Sequence, residues 1–551
     1  MSHGTPAPVP PADAATWWKR GVFYQVYVPS FQDGNGDGLG DLHGIEQRLD
    51  YITGLGVDAV WLSPIYDSPL LDFGYDVAGY TTVGADFGDL ETFDRIVDGL
   101  HRRGIKVLLD YIPQHTSSEH PWFKDALSGR HSAHRDWYLW ADPAADGGPP
   151  NNWASAFGGS AWTLHEPSNQ YYYHAHLPQQ PSLNWRNPQV KRAMFDVMRF
   201  WFSRGVDGYR IDAVWRLFKD QQLRDNPQGS DTDSFEIAGA MAHSSVRQLQ
   251  KYTADQPELP GVLAEMRDVA NEFDDRVLMG ELHLSVERVA ALGAKPGLDI
   301  PMNFALIDAP WNGQSLGDLI VRYEQALTPR AWPNWTLGNH DRSRVATRLG
   351  PERLPGAMIL LLTLRGTPTL YYGDELGLPD QPVPPGRERD CAALAAPGQG
   401  LGRDPERTPM PWTNAPNVGF TTPEATPWLP IPDPAPGQTV AEQEKAADSL
   451  LQLVRTAIAL RHRSAALSVG TISVVTATAD TLAYTRHADD ERWLVIISFS
   501  NRPTETAVPD QETWTVALRS DQEWHPRIND GRLVVPPYAA VVLERHEQPE
   551  E

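Results

Sequence analysis

The chain has 551 residues, more than one ordinary core requires, so a large domain carrying insertions, or two to three domains, is expected. Its 71 acidic against 47 basic residues leave a formal net charge of −24, which would repel phosphate backbones and anionic bilayers and argues against nucleic-acid and membrane partners. The single cysteine, Cys391, forbids an internal disulfide, and the opening residues lack a charged segment followed by an apolar one, so a cytoplasmic location is expected.

Residues 1–15, rich in Pro and Ala, read as a flexible tail. Short apolar runs then recur, each followed by an amphipathic stretch: VFYQVY (22–27), VDAVWL (57–62), IKVLLD (105–110), VDGYRID (206–212), VLMGE (277–281), PMNFAL (301–306), NWTLG (334–338) and TLYYG (369–373). Helical spacing lies between them, as at 91–104 and 192–205. Eight such units predict an α/β fold, a (β/α)₈ TIM barrel over 16–112 and 181–467. Residues 113–180, rich in Pro, Gly, Trp and His, form a long insertion after the third run, expected to hang over the barrel's C-terminal face. After the helical segment 448–463 the pattern becomes alternating strands, which predicts a C-terminal antiparallel β-sandwich over 468–551. Nineteen Trp and eighteen Tyr are mostly core, yet leave aromatic platforms for a neutral, partly apolar ligand such as a sugar.

Ionisable residues gather where the barrel strands should end: Asp110 and His115, Arg210 and Asp212, Glu281, then His340 and Asp341. Barrel active sites form at those ends. Cleaving a glycosidic bond takes one ionised carboxyl to attack and one protonated carboxyl to supply the leaving group. Asp212 suits the first role, because Arg210 shares its strand face and favours the ionised form. Glu281 follows Val-Leu-Met-Gly with no basic neighbour, an approach that should raise its pKa. Near the N-terminus, DGNGDGLGDLHG offers oxygens from Asp33, Asn35, Asp37, the Leu39 carbonyl and Asp41. The spacing is that of a calcium loop's start, although its twelfth position is Gly44 and not Glu. The segment lacks the Gly-Lys-Ser/Thr ending of a phosphate loop, and His131, His134, His165 and His174 lack metal-ligand spacing.

The segments GVFYQVYVPSF, LDFGYDVAGY, LDYIPQHTSSEHPWF, QPSLNW, GVDGYRIDAV, MGELH, LGNHDRSR, GTPTLYYGDELGL and GRDPERTPMPW occur in order over about residues 17 to 470. Together they resemble the α-amylase superfamily (glycoside hydrolase family 13), in its α-glucosidase and oligo-1,6-glucosidase branch. The resemblance implies Asp212 as nucleophile, Glu281 as general acid/base and Asp341 as the third carboxylate, holding the sugar's 2- and 3-hydroxyls. It implies that His115 and His340 bond the same ring, that Tyr75 stacks on it and that Arg210 orients Asp212. Asp72 and Arg403 would grip the terminal 4-hydroxyl and close the pocket, with Phe157 and Phe304 near the aglycone. A structural Ca²⁺ or Mg²⁺ on the Asp33–Asp41 loop is implied, with no organic cofactor. The implied partners are small α-glucosides, attacked from the non-reducing end with retention. Ala213, after the nucleophile, accompanies α-1,4 preference in this branch, where Val accompanies α-1,6. Gln114, Ser182, His176 and Val28-Pro29 depart from the family's usual Asn, Asp, aromatic and Pro-Arg. A transferase or isomerase on the same fold remains the alternative, while intact Asp212, Glu281 and Asp341 argue against an inactive binding subunit.

Overall fold

The structure, a computed structural model, describes residues 16–229, 237–238, 248–395, 402–508 and 514–545. The tail expected over 1–15 lies outside them. Eight parallel strands form one sheet: β1 (Phe23–Val26), β2 (Ala59–Leu62), β3 (Lys106–Tyr111), β4 (Gly208–Ile211), β5 (Val277–Gly280), β6 (Ile300–Pro301), β7 (Asn334–Thr336) and β8 (Thr367–Tyr371). Their order is β6-β5-β4-β3-β2-β1-β8-β7, a near-closed barrel. The sixth run is shorter than its apolar stretch suggests. Met302 still bonds Gly280, but the Asn303 side chain accepts the Ala305 N–H and turns the chain into the helix Ala305–Asp308.

Strand residues alternate between two layers, as the period of two requires. Outward residues such as Tyr24, Val60, Leu62, Val107, Leu109 and Leu278 join the main core beneath the helices. Inward residues Phe23, Ala59, Trp61, Leu108, Val277, Met279 and Ile300 form a separate apolar plug inside the barrel. The top of that plug is where charge enters the barrel. Two residues beyond Leu108 is Asp110, and two beyond Met279 is Glu281, so the same inward stripe that begins apolar ends charged. On β4, Gly208, Arg210 and Asp212 continue that stripe, and Gly208 is required because a Cβ there would lie 2.3 Å from Val277 Cγ1.

Helices cover the outside. Leu90–His101 starts where the Asp89 side chain accepts the Thr92 N–H, and it buries Phe93, Ile96, Val97 and Leu100 at helical spacing. The segment after β3 carries a small antiparallel sheet of Trp140–Ala141, Gln170–Tyr173 and Trp162–His165, with a core of Trp153, Trp162, Tyr171 and Tyr173. At the C-terminus a five-stranded antiparallel sheet and a three-stranded one enclose Leu494, Ile496, Leu533, Val535 and Val541. The other face of the larger sheet continues the barrel's core through Leu482, Tyr484, Trp493 and Val495. Two buried arginines stitch this junction. Arg461, on helix Leu450–Arg463, donates to the carbonyls of Leu362, Leu364 and Leu467 at 3.1, 3.0 and 2.9 Å. Arg486, on strand Thr481–Ala488, donates to the same Leu467 carbonyl at 2.8 Å and to Gly470 at 3.1 Å. No described helix is long and apolar enough to cross a membrane.

Candidate active site

Where the inward stripe turns polar, one guanidinium meets three carboxyls. Arg210 Nη1 lies 2.6 Å from Asp110 Oδ1 and 2.6 Å from Asp212 Oδ1, while Nη2 lies 2.9 Å from Glu281 Oε2. Glu281 also accepts the Ala213 N–H at 2.7 Å and faces His283 Nε2 at 3.0 Å. The expectation of an apolar Glu281 is therefore overturned. The parallel register sets Met279 beside Arg210, which brings the guanidinium up to Glu281 from the neighbouring strand. Burial opposes the charge on Glu281, but Arg210 and His283 outweigh it and hold the carboxyl down at about 2. Asp212 goes the other way: burial, reinforced by Glu281 and Asp110, raises it well above the usual carboxylate range against the pull of Arg210. Ala213 sits in the left-handed region at φ 44°, ψ 33°, and that turn is what aims its N–H at Glu281.

The other expected residues assemble around this centre. Tyr75 stacks on His340 with ring centroids 5.2 Å apart, and its hydroxyl donates to Asp110 Oδ2 at 3.0 Å. His340 takes Gln25 Nε2 on Nδ1 at 2.8 Å and faces Asp341 Oδ2 at 3.3 Å, and burial lowers its pKa to about 3. His115 is likewise neutral, lowered to about 4 by burial. Its ring nitrogens face two acceptors, the Tyr75 carbonyl at 2.9 Å and Gln114 Oε1 at 2.8 Å; the neutral ring has one N–H, so it donates to one of them and leaves the other nitrogen without a donor. Two departures from the family pattern meet here: Gln114 donates to Ser182 Oγ at 2.7 Å, the longer side chain compensating for the shorter.

A second guanidinium closes the other side. Arg403 reaches Asp341 Oδ1 at 2.8 Å, Asp72 Oδ1 at 2.8 Å and Asp390 Oδ1 at 2.6 Å, and lies 5.1 Å over the Phe157 ring. Asp341 is shared with Arg407 at 2.9 Å, and against the cost of burial His340 and the two arginines hold it far below the usual range. Gln180 donates to the free oxygen of Asp72 at 3.0 Å. Asp72, Asp390 and Cys391 form a cluster of metal-type donors among the described residues, but Arg403 Nη2 stands among them, so the cation there is the guanidinium. Phe304 is set apart from this wall, stacked 4.6 Å from His283 behind Glu281. Asp390, Arg407, Gln180 and His283 were not singled out from the sequence. Arg407 lies in the matched GRDPERTPMPW segment, and His283 in MGELH, where the signal was available.

The loop before helix Leu42–Gln47 brings its expected donors together in sequence but only partly in space. Asp33 accepts the Asn35, Gly36 and Gly38 N–H groups, and Asp41 accepts those of Gly34 and Gly44. Asp33, Asp37 and Asp41 do not offer three oxygens within 4.8 Å of one another. Yet Asp41 Oδ2 is buried with no partner, and an all-oxygen set suits a hard divalent cation. Gly44 cannot be the Glu of a calcium loop, since a Cβ there would fall 1.9 Å from the Gln32 carbonyl oxygen.

Comparison with known proteins identifies the family. The model of the alpha amylase catalytic domain matches residues 25–470. A probable alpha-glucosidase of Rhizobium meliloti (strain 1021) is 38% identical over 504 residues, covering 90% of this chain and 91% of its own. Among solved structures, the alpha-glucosyl transfer enzyme XgtA superposes with a TM-score of 0.90 at 36% identity, over 96% of this chain and 99% of its own. The trehalulose synthase MutB of Pseudomonas mesoacidophila MX-45 follows at 0.88 and 31%, over 98% and 100%. With its barrel, its ring of strand-end carboxyls and these relatives, the chain belongs to the alpha-amylase family of glycoside hydrolases, alongside the α-glucosidases.

Proposed function

We propose that the protein is a retaining, exo-acting α-glucosidase that releases α-glucose from short α-1,4-glucosides, with sucrose as a further substrate, and transfers part of that glucose to other acceptors. The observation that carries this reading is the Arg403 wall beside Asp341: a pocket closed by Asp72–Arg403–Asp341 contacts takes one terminal residue and excludes a continuing chain. Asp212 attacks the anomeric carbon and forms a glucosyl ester while the bond to the aglycone oxygen breaks, taking a proton from Glu281. Glu281 then removes a proton from water, which cleaves the ester. Arg210 bonds both carboxyls, so positive charge developing on the seated ring favours ionised Asp212 and leaves the proton to Glu281. His340, Asp341 and Tyr75 line the glucose side, and His283 and Phe304 the aglycone side.

Asp33, Asn35, Asp37, Asp41 and the Leu39 carbonyl would hold a structural Ca²⁺ or Mg²⁺, whose part is to neutralise the loop's carboxylates far from the reacting bond. The buried, unpaired Cys391 suits a reducing cytoplasm. A second reading, transfer or isomerisation, draws on the XgtA and MutB likenesses. Incubation with maltose, isomaltose, sucrose and starch separates them. The first reading requires α-glucose as the first product by NMR, maltose preferred and starch poor; new disaccharides outweighing free glucose at low substrate would replace it with the second.

A further inference from the structure

The chain leaves Asp212 through the short turn Val214–Arg216, which carries two nitrogen donors with no acceptor among the described residues. Arg216 is 7% exposed, and no carboxylate among the described residues lies within ion-pair distance of it; its guanidinium makes one long contact, Nη1 to the Ala175 carbonyl at 3.4 Å. Its Nε is buried without a partner, and so is Nε1 of Trp215, which is 3% exposed. The two belong together, since Arg216 Cζ lies 5.3 Å from the centroid of the Trp215 ring. Lys219, buried beside it, donates to the Arg216 carbonyl and lies 5.0 Å from the Tyr173 ring, with no carboxylate among the described residues in ion-pair distance; burial pushes its pKa well down.

Their place in the site follows from Trp215. Its ring is 4.9 Å from His283, the residue that faces Glu281 Oε1 at 3.0 Å. The acid/base stands on the side where the leaving group departs, so Trp215 and Arg216 flank the aglycone and not the glucose. The insertion closes over the same spot, because Ala175, whose carbonyl Arg216 touches, precedes His176, and the His176 ring stands 5.2 Å from His115. Elsewhere in the pocket every arginine has its counter-charge: Arg210 has three carboxyls, Arg403 three and Arg407 Asp341. Unspent buried donors cost free energy until an acceptor meets them, and a buried cation without a counter-charge is best completed by an acceptor that is also an anion.

We infer that the aglycone subsite is built for a leaving group or acceptor bearing an oxyanion, a carboxylate or a phosphate, held by Arg216 and the Trp215 indole N–H. This deepens the glucosidase reading and rests on it, but maltose turnover tests that reading separately. The probes are isosteres: 4-carboxyphenyl α-glucoside against 4-carbamoylphenyl α-glucoside, and maltose phosphorylated on the 6-hydroxyl of its reducing sugar against maltose. The wild type should favour the charged member of at least one pair in kcat/KM by about tenfold, the worth of one charge-assisted hydrogen bond. The first pair identifies a carboxylate and the second a phosphate. Arg216→Gln should erase that ratio and Arg216→Lys restore part of it. A wild type indifferent to charge, or preferring the neutral member of both pairs, overturns the inference even where Arg216→Gln does not fold. An Arg216→Gln enzyme that loses equally on charged and neutral members overturns it as well.

Discussion

Replacing Asp390 by Asn removes one negative charge from beneath Arg403 while keeping the side chain's shape. Asp390 is fully buried, accepts the Arg403 backbone N–H at 2.7 Å and pairs with Nη2 at 2.6 Å and Nε at 3.2 Å. A charge-assisted bond contributes about 1.5–3 kcal/mol, and breaking a buried pair outright costs about 3–5 kcal/mol. Asn can still accept the backbone N–H, and Arg403 keeps Asp72 and Asp341, so Asp390→Asn should destabilise by about 2 kcal/mol and Asp390→Ala by about 4. The pH dependence has a definite sign. Arg403 holds the Asp390 carboxyl well below its ordinary 3.8, so its contribution is complete above pH 3.8 and fades as pH falls below that value. Thermal unfolding of wild type and Asp390→Asn at pH 7 and at pH 3 measures this. The gap in Tm should be present at pH 7 and narrower at pH 3. Because Asp390 acts through Arg403, KM for maltose should rise more than kcat falls. Equal Tm values at pH 7, or a gap that widens on acidification, would refute the argument.

Asp212→Asn and Glu281→Gln should each lower kcat by about 10⁴-fold or more, read in steady-state hydrolysis of maltose, and a loss under tenfold in either would remove that residue from the bond-breaking step. Ala213→Val should raise isomaltose turnover relative to maltose but at a cost of about 1–2 kcal/mol in stability, since a β-branched residue is forced into the left-handed region, whereas Ala213→Gly should be nearly neutral. A wild type that prefers isomaltose refutes the linkage argument. Chelation should lower Tm more than the initial rate, and elemental analysis that finds neither Ca²⁺ nor Mg²⁺ after both are supplied would end the metal assignment of the Asp33–Asp41 loop.

The barrel was legible because each strand announces itself locally, by a short apolar run, and because Asp110, Asp212 and Glu281 lie on those runs at the inward parity. The setting of Glu281 was not legible. Its Arg210 neighbour is 71 positions away in sequence and arrives through strand register, which no linear window contains. Asp390 escaped for a related reason: it sits in a polar stretch without periodicity, and its meaning arises only when Arg403, thirteen residues on, folds back over it. The sixth strand was overextended because Met302, Phe304 and Ala305 are apolar for the sake of the barrel plug and a helix, and apolarity alone does not distinguish those from strand.

Arg461 and Arg486 give the C-terminal sheets a standing that their modular look conceals. Both arginines spend their donors on backbone carbonyls, sharing that of Leu467, and Arg486 belongs to the sheet while most of the acceptors of Arg461 belong to the barrel. Deleting residues 468–551 would thus strip Arg486 from this junction and bare the face of helix Leu354–Thr363 that Ile497 and Ala540 now cover at Gly356. The catalytic barrel is not a transplantable cassette. Chimeras that exchange the last domain among relatives should succeed only when the crossover carries the Arg461 helix along with it.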